Sequence, residues 1–198
     1  MWGTGISTNA ERSLLLLFRQ SAPSHQVLHQ SMLHPLALRE LALSDVPNIY
    51  SMCSDPRMSQ YTRWDTMLSK QDAMAYLLSV QQRLYENTAV EWGIFYAGVF
   101  VGTVGLYSLD QKSGHGHLGY AVNRPWWGKG FAAEAAQEAL SIGRGTLGLT
   151  VFHAEAVSEN PPSIRVLEKL GFQEYGSPQT THLKGRDLEL RHFLLQVP

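Results

Sequence analysis

A glycine turn between a strand-like and a helix-like segment is the part of this sequence best suited to chemistry. The stretch from Gly119 to Ala136 reads GYAVNRPWWGKGFAAEAA. In such a turn the backbone N–H groups of residues 127–133 lack intrahelical partners and point the same way. A helix N-terminus of this kind binds anions, and the glycines allow a phosphate to approach the backbone closely. The alternative is that these glycines only relieve backbone crowding in the turn.

Two other glycine strings, Gly114–Gly119 and Gly143–Gly148, match the G-x-G-x-x-G spacing of dinucleotide sites. That fingerprint requires a strand before it and a helix after it. The first string begins a predicted strand and the second ends a predicted helix, so we interpret both as turn and cap glycines. Gly128-Lys129-Gly130 has the required context but lacks the G-x-x-x-x-G-K-[ST] spacing of a nucleotide P-loop. The sequence therefore predicts a phosphate site that belongs to neither motif.

Length and charge restrict the classes of protein to which the chain can belong. Its 198 residues are enough for one domain with a sizeable core, which we expect to span residues 34–198. The formal net charge of −1 gives no bulk attraction to nucleic acid or to a membrane surface, so neither partner is expected. The single cysteine, Cys53, rules out an intrachain disulfide framework and favours a cytoplasmic location.

Residues 1–33 differ from the rest of the chain. Leu14–Phe18 is an apolar run that is too short to span a bilayer. No basic segment leads into this run and no small-residue cleavage signal follows it, which argues against a signal peptide. The segment is predicted to be an N-terminal extension, either weakly ordered or a helical arm.

Hydrophobic periodicity and turn residues predict the order β-α-α-β-β-β-α-β-α-β-β, an α/β domain with a mixed sheet. Ser69 is the expected N-cap of the long second helix, Ala97-Gly98 a hairpin turn, and Gly143 and Gly145 the end of the third helix. The predicted strands are Leu36–Leu43, Glu91–Tyr96, Val99–Ser108, His115–Asn123, Thr150–Val157 and Asp187–Leu195. The predicted helices are Val46–Cys53, Lys70–Tyr85, Gly130–Ile142 and Pro161–Leu170, the last one stopped by Gly171. Segments 55–68, 108–115 and 175–186 are expected to be loops.

Three stretches together resemble one known family. They are LALRELALSDV (36–46), GYAVNRPWWGKGFAAEA (119–135) and AVSENPPSIRVLEKLGF (156–172). Residues 34–195 resemble the GCN5-related N-acetyltransferase (GNAT) superfamily, in its ribosomal-protein alanine acetyltransferase-like (RimJ/RimL-like) branch. The resemblance implies an α+β fold whose mixed, mostly antiparallel sheet has six to seven strands, is splayed in the middle and is flanked by about four helices.

The resemblance also implies where acetyl-CoA, the co-substrate, would bind. The loop of residues 127–132 would wrap the pyrophosphate, although Trp127 stands where the family usually has Gln or Arg. The backbone of Tyr120–Val122 would pair with the pantetheine arm, the Val122 N–H would polarise the thioester carbonyl, and Asn160 would contact the arm from the other side. The implied binding residues are Tyr120, Ala121, Val122, Trp127, Gly128, Lys129, Gly130, Phe131, Ala132, Ala133, Asn160 and Ser163.

Two catalytic residues are predicted, both by comparison with the family. Leu167 stands where many relatives carry a tyrosine acid, so Ser163 is the expected substitute, unless it only bonds to nearby helix backbone. His117 stands where relatives often carry a glutamate base, and imidazole titrates near neutral pH. Glu91 and Glu155 are the alternative bases. His115 shares a face with His117, but no third ligand is identifiable, so no metal is expected.

The function predicted from these features is the transfer of an acetyl group from acetyl-CoA to a primary amine. The amine would be a protein N-terminus or a small molecule, and it would attack the thioester directly in a ternary complex. Tyr61 and Trp64 would help to shape the acceptor slot, while Cys53 is interpreted as a small core residue. The alternative is a non-catalytic acyl-CoA sensor or partner module on the same fold. A homodimer is left open.

Overall fold

The computed structural model describes residues 35–197, in which a seven-stranded sheet is the central element. In chain order the strands are β1 (Leu36–Glu40), β2 (Val90–Tyr96), β3 (Val99–Asp110), β4 (His115–Val122), β5 (Val151–Val157), β6 (Gln173–Leu183) and β7 (Arg186–Gln196). Across the sheet their order is β1-β2-β3-β4-β5-β7-β6. All neighbours pair antiparallel except β4 and β5, which are parallel.

Five α-helices connect and flank these strands within the same residues. They are α1 (Val46–Cys53), α2 (Pro56–Ser59), α3 (Lys70–Tyr85), α4 (Phe131–Gly145) and α5 (Pro161–Lys169). Ser69 caps α3 as predicted: its hydroxyl accepts the Asp72 N–H at 3.3 Å, and the Asp72 carboxylate accepts the Ser69 N–H at 2.8 Å. The mixed sheet and flanking helices confirm the predicted fold class, and the short α2 adds one helix to the four expected.

Two clusters of buried apolar side chains fix the helices on opposite faces of the sheet. One joins α4 and α5 to the centre of the sheet and includes Ala135, Ala139, Phe152 and Leu167. The other joins α1 and α3 to strands β2 and β3 through residues such as Ile49, Leu77, Phe95 and Phe100. Because each helix buries its apolar stripe on the sheet, the loops between the helices are brought to one edge of the central strands.

Several predicted boundaries are wrong in instructive ways. The first strand ends at Glu40 instead of Leu43, because Leu43–Asp45 forms a 3-10 turn before α1. Gly143 does not end α4, since the helix continues to Gly145. A Cβ at Gly143 would lie 2.7 Å from Leu106 Cδ1 and 2.9 Å from Phe152 Cε1. This glycine therefore allows the helix to approach the sheet closely.

The segments predicted to be the second and third loops contain strand. Residues 175–183 belong to β6, which forms a hairpin with β7 across the turn Lys184-Gly185. The turn residues have φ of +52° and +74°, the left-handed geometry of a two-residue hairpin. Strand β3 likewise extends to Asp110, with an irregular register between Tyr107 and Asp110. Low hydrophobicity hides such strands, because both faces of β6 are largely exposed.

The predicted extension, residues 1–33, lies outside the described residues. Among residues 35–197, no helix is both long and apolar enough to cross a lipid bilayer.

Candidate functional site

The sheet opens between β4 and β5, which pair over only three positions, from His115–Val151 to His117–His153. Beyond His117, successive residues of β4 direct their backbone N–H and C=O groups alternately toward β3 and toward the opening. The Asn123 N–H donates to Val101 O at 2.7 Å, so alternate residues of β4 bond to β3. Tyr120 and Val122 therefore turn their backbone N–H and C=O groups to the open side, while Ala121 pairs with Thr103. The splayed sheet that the family resemblance implied is present.

A cleft of about 980 Å³ occupies this opening and continues across the sheet toward α1 and α3. Its walls come from β4, β5, α5, the loop after α2 and the β6–β7 hairpin. The residues that matter below are Tyr61, Arg63, Trp64, Tyr76, Arg83, Glu91, Thr103, Tyr107, His117, Tyr120, Glu155, Asn160, Ser163 and His182. Most of the predicted catalytic and acceptor-side residues thus share one cavity.

The glycine turn takes the predicted geometry at the start of α4. Gly128 and Gly130 have φ of +73° and +87°, and a Cβ at either residue would meet no atom within 4 Å. Gly130 is the N-cap, and the first backbone bond of the helix runs from Glu134 N–H to Gly130 O at 3.1 Å. The N–H groups of residues 131–133 precede that bond and remain available to an anion.

The two tryptophans before this turn have different roles. The Trp127 N–H donates to Arg124 O at 3.1 Å, so it is not one of the free groups. The Trp127 indole, half exposed, donates to Val122 O through Nε1. Trp126 packs beside Phe131, and the Lys129 ammonium lies 4.7 Å from its ring centre. Lys129 therefore stays close to the turn, where its charge would assist phosphate binding.

Ser163 meets the side chain of Tyr120 across the opening. The Tyr120 hydroxyl lies 3.0 Å from Ser163 O and 3.1 Å from Ser163 Oγ. Burial raises the pKa of Tyr120 to about 12, although the hydrogen bond to Ser163 acts in the opposite direction. Asn160 caps α5 by accepting the Ser163 N–H at 3.4 Å. Leu167 is only 1% exposed, so its side chain is part of the core.

His117 lines the cleft and stacks on a second histidine of β5. The His117 and His153 ring centres are 4.9 Å apart, and His153 Nε2 lies 3.0 Å from His115 Nδ1. Burial, together with the two neighbouring histidines, lowers the pKa of His153 below its usual value. The lowered pKa favours the neutral form of His153. In residues 35–197, no group of three His, Cys, Asp or Glu side chains could hold a metal ion.

The β6–β7 hairpin is tied to the opposite wall of the cleft by charged side chains. Lys184 Nζ donates to Trp64 O at 2.8 Å and to Asp65 Oδ1 at 2.7 Å. Glu155, an alternative base in the sequence analysis, pairs with Arg63 at 2.9 Å. These contacts link the hairpin and β5 to the loop after α2 and so bridge this end of the cleft. From the sequence, residues 175–186 of the hairpin were assigned to a loop while Asp187–Leu195 was predicted as a strand, and only the Lys-Gly turn could have indicated the first half.

Glu91, the other alternative base, lies at the closed end of the cleft and is 6% exposed. It accepts a hydrogen bond from the Tyr76 hydroxyl, and the Tyr107 and Thr103 hydroxyls bond to it as well. An Arg83 guanidinium nitrogen is 3.6 Å away. Burial raises the pKa of Glu91 above its usual value, although all four neighbours act in the opposite direction. Sequence reasoning did not assign Tyr76 or Tyr107 to the site.

Cys53 borders the same end of the cleft but is not reactive. Its side chain is 4% exposed, and burial, aided by the charge of Glu91, raises its pKa to about 12. The thiol stays protonated at neutral pH and is a weak nucleophile. The interpretation of Cys53 as a core residue agrees with this geometry.

A sheet opened between two parallel strands, with a glycine turn beyond it and a polar cleft beside it, defines an acyl-CoA-dependent transferase class. The family model for the acetyltransferase (GNAT) domain matches residues 36–173. The chain therefore belongs to the GNAT family and is an N-acetyltransferase, as the sequence resemblance implied.

Relatives and solved structures agree with this assignment. The uncharacterized N-acetyltransferase p20 of Bacillus licheniformis is 31% identical over 163 residues, covering 81% of this chain and 92% of that protein. The ribosomal L7/L12 α-N-protein acetyltransferase RimL, solved with coenzyme A, has a TM-score of 0.75 at 18% identity, over 82% of this chain and 94% of that one. Spermidine N-acetyltransferase from Vibrio cholerae, solved with CoA and spermine, has a TM-score of 0.72 at 21% identity, over 82% of this chain and 95% of that one. Both likenesses establish the fold.

Proposed function

We propose that this protein transfers the acetyl group of acetyl-CoA directly to a primary amine held in the same cleft. The observation that carries the proposal is the opening between β4 and β5, where Tyr120 and Val122 direct backbone groups away from β3. An extended amide-containing chain such as pantetheine pairs with such groups as an added strand would. The glycine turn at the end of β4 is suited to the pyrophosphate that follows the pantetheine arm.

The residues of the turn fit a bound pyrophosphate. No atom lies within 4 Å of the position that a Cβ would take at Gly128 or Gly130, which leaves room for phosphate oxygens. Phe131 and Ala133 have buried side chains, so they would contribute only their backbone N–H groups. Asn160 and Ser163 lie across the opening and would contact the arm near its thioester end. The single cysteine is buried and needs no oxidising compartment, which favours the cytoplasm.

The reaction needs one proton acceptor and one proton donor. The nitrogen lone pair of the neutral amine attacks the thioester carbonyl carbon, a C–N bond forms, and the C–S bond breaks. His117 accepts the proton that the ammonium loses, directly or through water. The leaving thiolate takes a proton from the Ser163–Tyr120 pair, whose two hydroxyls are 3.1 Å apart. The attacking nitrogen loses its second proton as the amide forms, and that proton returns to the pair directly or through water. The Val122 N–H stabilises the negative charge on the carbonyl oxygen.

We propose that the acceptor is a primary amine carried on a narrow or extended group. RimL acts on the α-amino end of a ribosomal protein, and the Vibrio cholerae enzyme acts on spermidine, so this fold serves both kinds of amine. In this chain the Lys184 and Arg63 contacts bridge the acceptor end of the cleft. An extended N-terminus or a small amine fits that entrance better than an amine on a folded protein surface.

The deciding experiment measures free-thiol release from acetyl-CoA across a panel of amines. The panel contains peptides that begin with Ala, Ser, Thr or Met, together with polyamines, free amino acids and aminoglycosides. Release above the no-amine background supports the proposal and identifies the acceptor class. If no amine of the panel raises thiol release while acetyl-CoA binding is measurable, the result favours the non-catalytic acyl-CoA sensor instead.

Two variants test the assigned roles once an amine is found. His117→Ala should lower kcat/KM and change its pH profile. An unchanged rate and pH profile would exclude His117 as the base. Ser163→Ala and Tyr120→Phe should each lower kcat with little change in the KM for the amine, because they act on the leaving thiolate.

A further inference from the structure

Four donor groups converge on one buried carboxylate at the closed end of the cleft. The hydroxyls of Tyr76, Tyr107 and Thr103 bond to Glu91, and Arg83 lies 3.6 Å from it. Arg83 is an ion-pair partner at that distance, so the three hydroxyls are the hydrogen-bonding neighbours of Glu91. Glu91 is also only 6% exposed, so its effect on a ligand passes through the groups around it.

The ring of Tyr107 connects this carboxylate to the edge of the thioester slot. Glu91, Gly105 and Gly119 are partners in register across β2, β3 and β4. A Cβ at Gly105 would lie 2.8 Å from the Tyr107 hydroxyl oxygen, and a Cβ at Gly119 would lie 2.9 Å from Tyr107 Cε2. The two glycines thus provide the space in which this ring lies flat on the sheet. Its hydroxyl oxygen lies over β3, and β4 is one strand spacing (~5 Å) away.

Glu91 determines the direction in which the two phenol hydroxyls donate their hydrogen bonds. A tyrosine hydroxyl has one proton and two lone pairs. Burial, followed by the charge of Glu91, raises the pKa of Tyr76 and Tyr107 well above the usual value, so both phenols remain protonated. Because both phenols direct their protons to the carboxylate, their oxygens can only accept further hydrogen bonds. The Thr103 hydroxyl also bonds to Tyr76, which leaves one lone pair of that oxygen for a group that enters the cleft.

We propose that Tyr76 and Tyr107 bind the ammonium group of the acceptor amine, with Glu91 as the residue that positions both phenols. This inference rests on the proposed function and adds a recognition site to it. An ammonium group only donates hydrogen bonds, so it matches oxygens that only accept. Arg83 balances the charge of Glu91, so recognition comes from oriented oxygens and aromatic faces more than from net charge.

The test compares steady-state constants for the best amine of the panel. Glu91→Gln keeps the size of the side chain, but its amide group donates and would turn at least one phenol proton toward the ligand. We expect the KM for the amine to rise about tenfold, the change for one lost hydrogen bond to a charged group, with kcat and the KM for acetyl-CoA within twofold of wild type. Tyr107→Phe should also raise the KM for the amine.

Matched variants separate this role from a general loss of structure. Glu40→Gln, an exposed glutamate on β1, should leave every constant unchanged. Tyr175→Phe, an exposed tyrosine on β6, is the control for Tyr107→Phe. An unchanged amine KM in both Glu91→Gln and Tyr107→Phe overturns the inference, as does a fall in kcat alone. If Glu91→Gln does not fold, Tyr107→Phe decides the question.

A binding measurement keeps the subsite testable if no amine is acetylated. Propylammonium is titrated into wild type and into Tyr107→Phe in the presence of CoA and is followed by NMR, with propanol as the neutral control. Binding of propylammonium that Tyr107→Phe weakens supports the subsite even where the proposed transfer fails. Equal binding of propylammonium and propanol, or no binding of either, overturns the subsite.

Discussion

Replacement of Gly130 by alanine tests whether the turn before α4 binds the pyrophosphate of acetyl-CoA. Gly130 has φ of +87°, and a Cβ there would meet no atom within 4 Å. Gly148, beyond the other end of the same helix, has φ of +68° and an equally open Cβ position. Gly148→Ala is therefore a matched control, because both substitutions impose the same backbone strain without a clash.

The expected sizes of the two effects follow from this geometry. A left-handed conformation costs a non-glycine residue about 1–2 kcal/mol, so both variants should lose that much free energy of unfolding. For a chain of this length, each kcal/mol lowers Tm by about 2–4 °C. Only Gly130→Ala places a methyl group where phosphate oxygens would lie. Loss of one N–H contact to a charged phosphate weakens binding by about 1.5–3 kcal/mol, which is about ten- to a hundredfold in Kd.

The assay measures acetyl-CoA affinity by calorimetry and thermal unfolding by scanning fluorimetry for wild type and both variants. We expect similar losses of Tm in the absence of ligand and a weakened acetyl-CoA affinity in Gly130→Ala alone. Desulfo-CoA, which retains the pyrophosphate, should show the same weakening. Wild-type affinity in Gly130→Ala would refute the assignment of the turn to the pyrophosphate. Equal weakening in both variants would show that strain, and not the site, causes the effect.

Three further predictions concern the framework of the site. Gly143→Ala should lower the free energy of unfolding by about 1–3 kcal/mol in denaturant titrations, because its Cβ would overlap Leu106 and Phe152; an unchanged value would contradict this packing. Cys53 should resist iodoacetamide at pH 8 in the folded protein, since burial raises its pKa to about 12, and should react once the protein is unfolded. Asp45→Asn should cost about 1–3 kcal/mol at pH 7, because it removes the charge that accepts the Arg39 guanidinium. Burial raises the pKa of Asp45, but its hydrogen bonds outweigh burial and hold the pKa below 3.8. The stability that Asp45 contributes should therefore vanish as pH falls through that lowered value. A cost of Asp45→Asn that does not depend on pH would contradict this assignment.

Local sequence signals predicted the elements that depend on local chemistry. Val46–Cys53 and Lys70–Tyr85 have the predicted bounds, because Ser69 and the apolar spacing act within a few residues. The turn at Ala97-Gly98 and the stop at Gly171 also follow from local backbone preference, with positive φ at each of these residues. The predicted order has two strands after the last helix, but the bounds of β6 were missed, since an edge strand with two exposed faces lacks the alternation on which strand prediction depends.

The site was predictable only where the family motif covers it. The turn at residues 127–133 and the pair Asn160 and Ser163 were assigned from sequence, and their binding roles remain predictions. Tyr76 and Tyr107 lie far apart in the chain, on α3 and β3, and come together around Glu91. Gly105 and Gly119 were the signal for this contact, because paired glycines in adjacent strands leave room for a large ring above them. Without the register of the sheet, these glycines could not be recognised as partners.

One side chain links the two sides of the opening in the sheet. Tyr120 points to the face covered by α4 and α5, and its hydroxyl reaches Ser163 in the first turn of α5, at 3.0 Å from the backbone oxygen. Because α5 follows β5 after a short turn, this contact connects β4 to the helix that follows β5. The ladder between these strands stops at His117–His153, three residues before Tyr120 on β4. The side chain that links β4 to α5 across the opening thus also places its hydroxyl 3.1 Å from Ser163 Oγ, so one ring takes part both in this connection and in the proposed delivery of a proton to the thiolate.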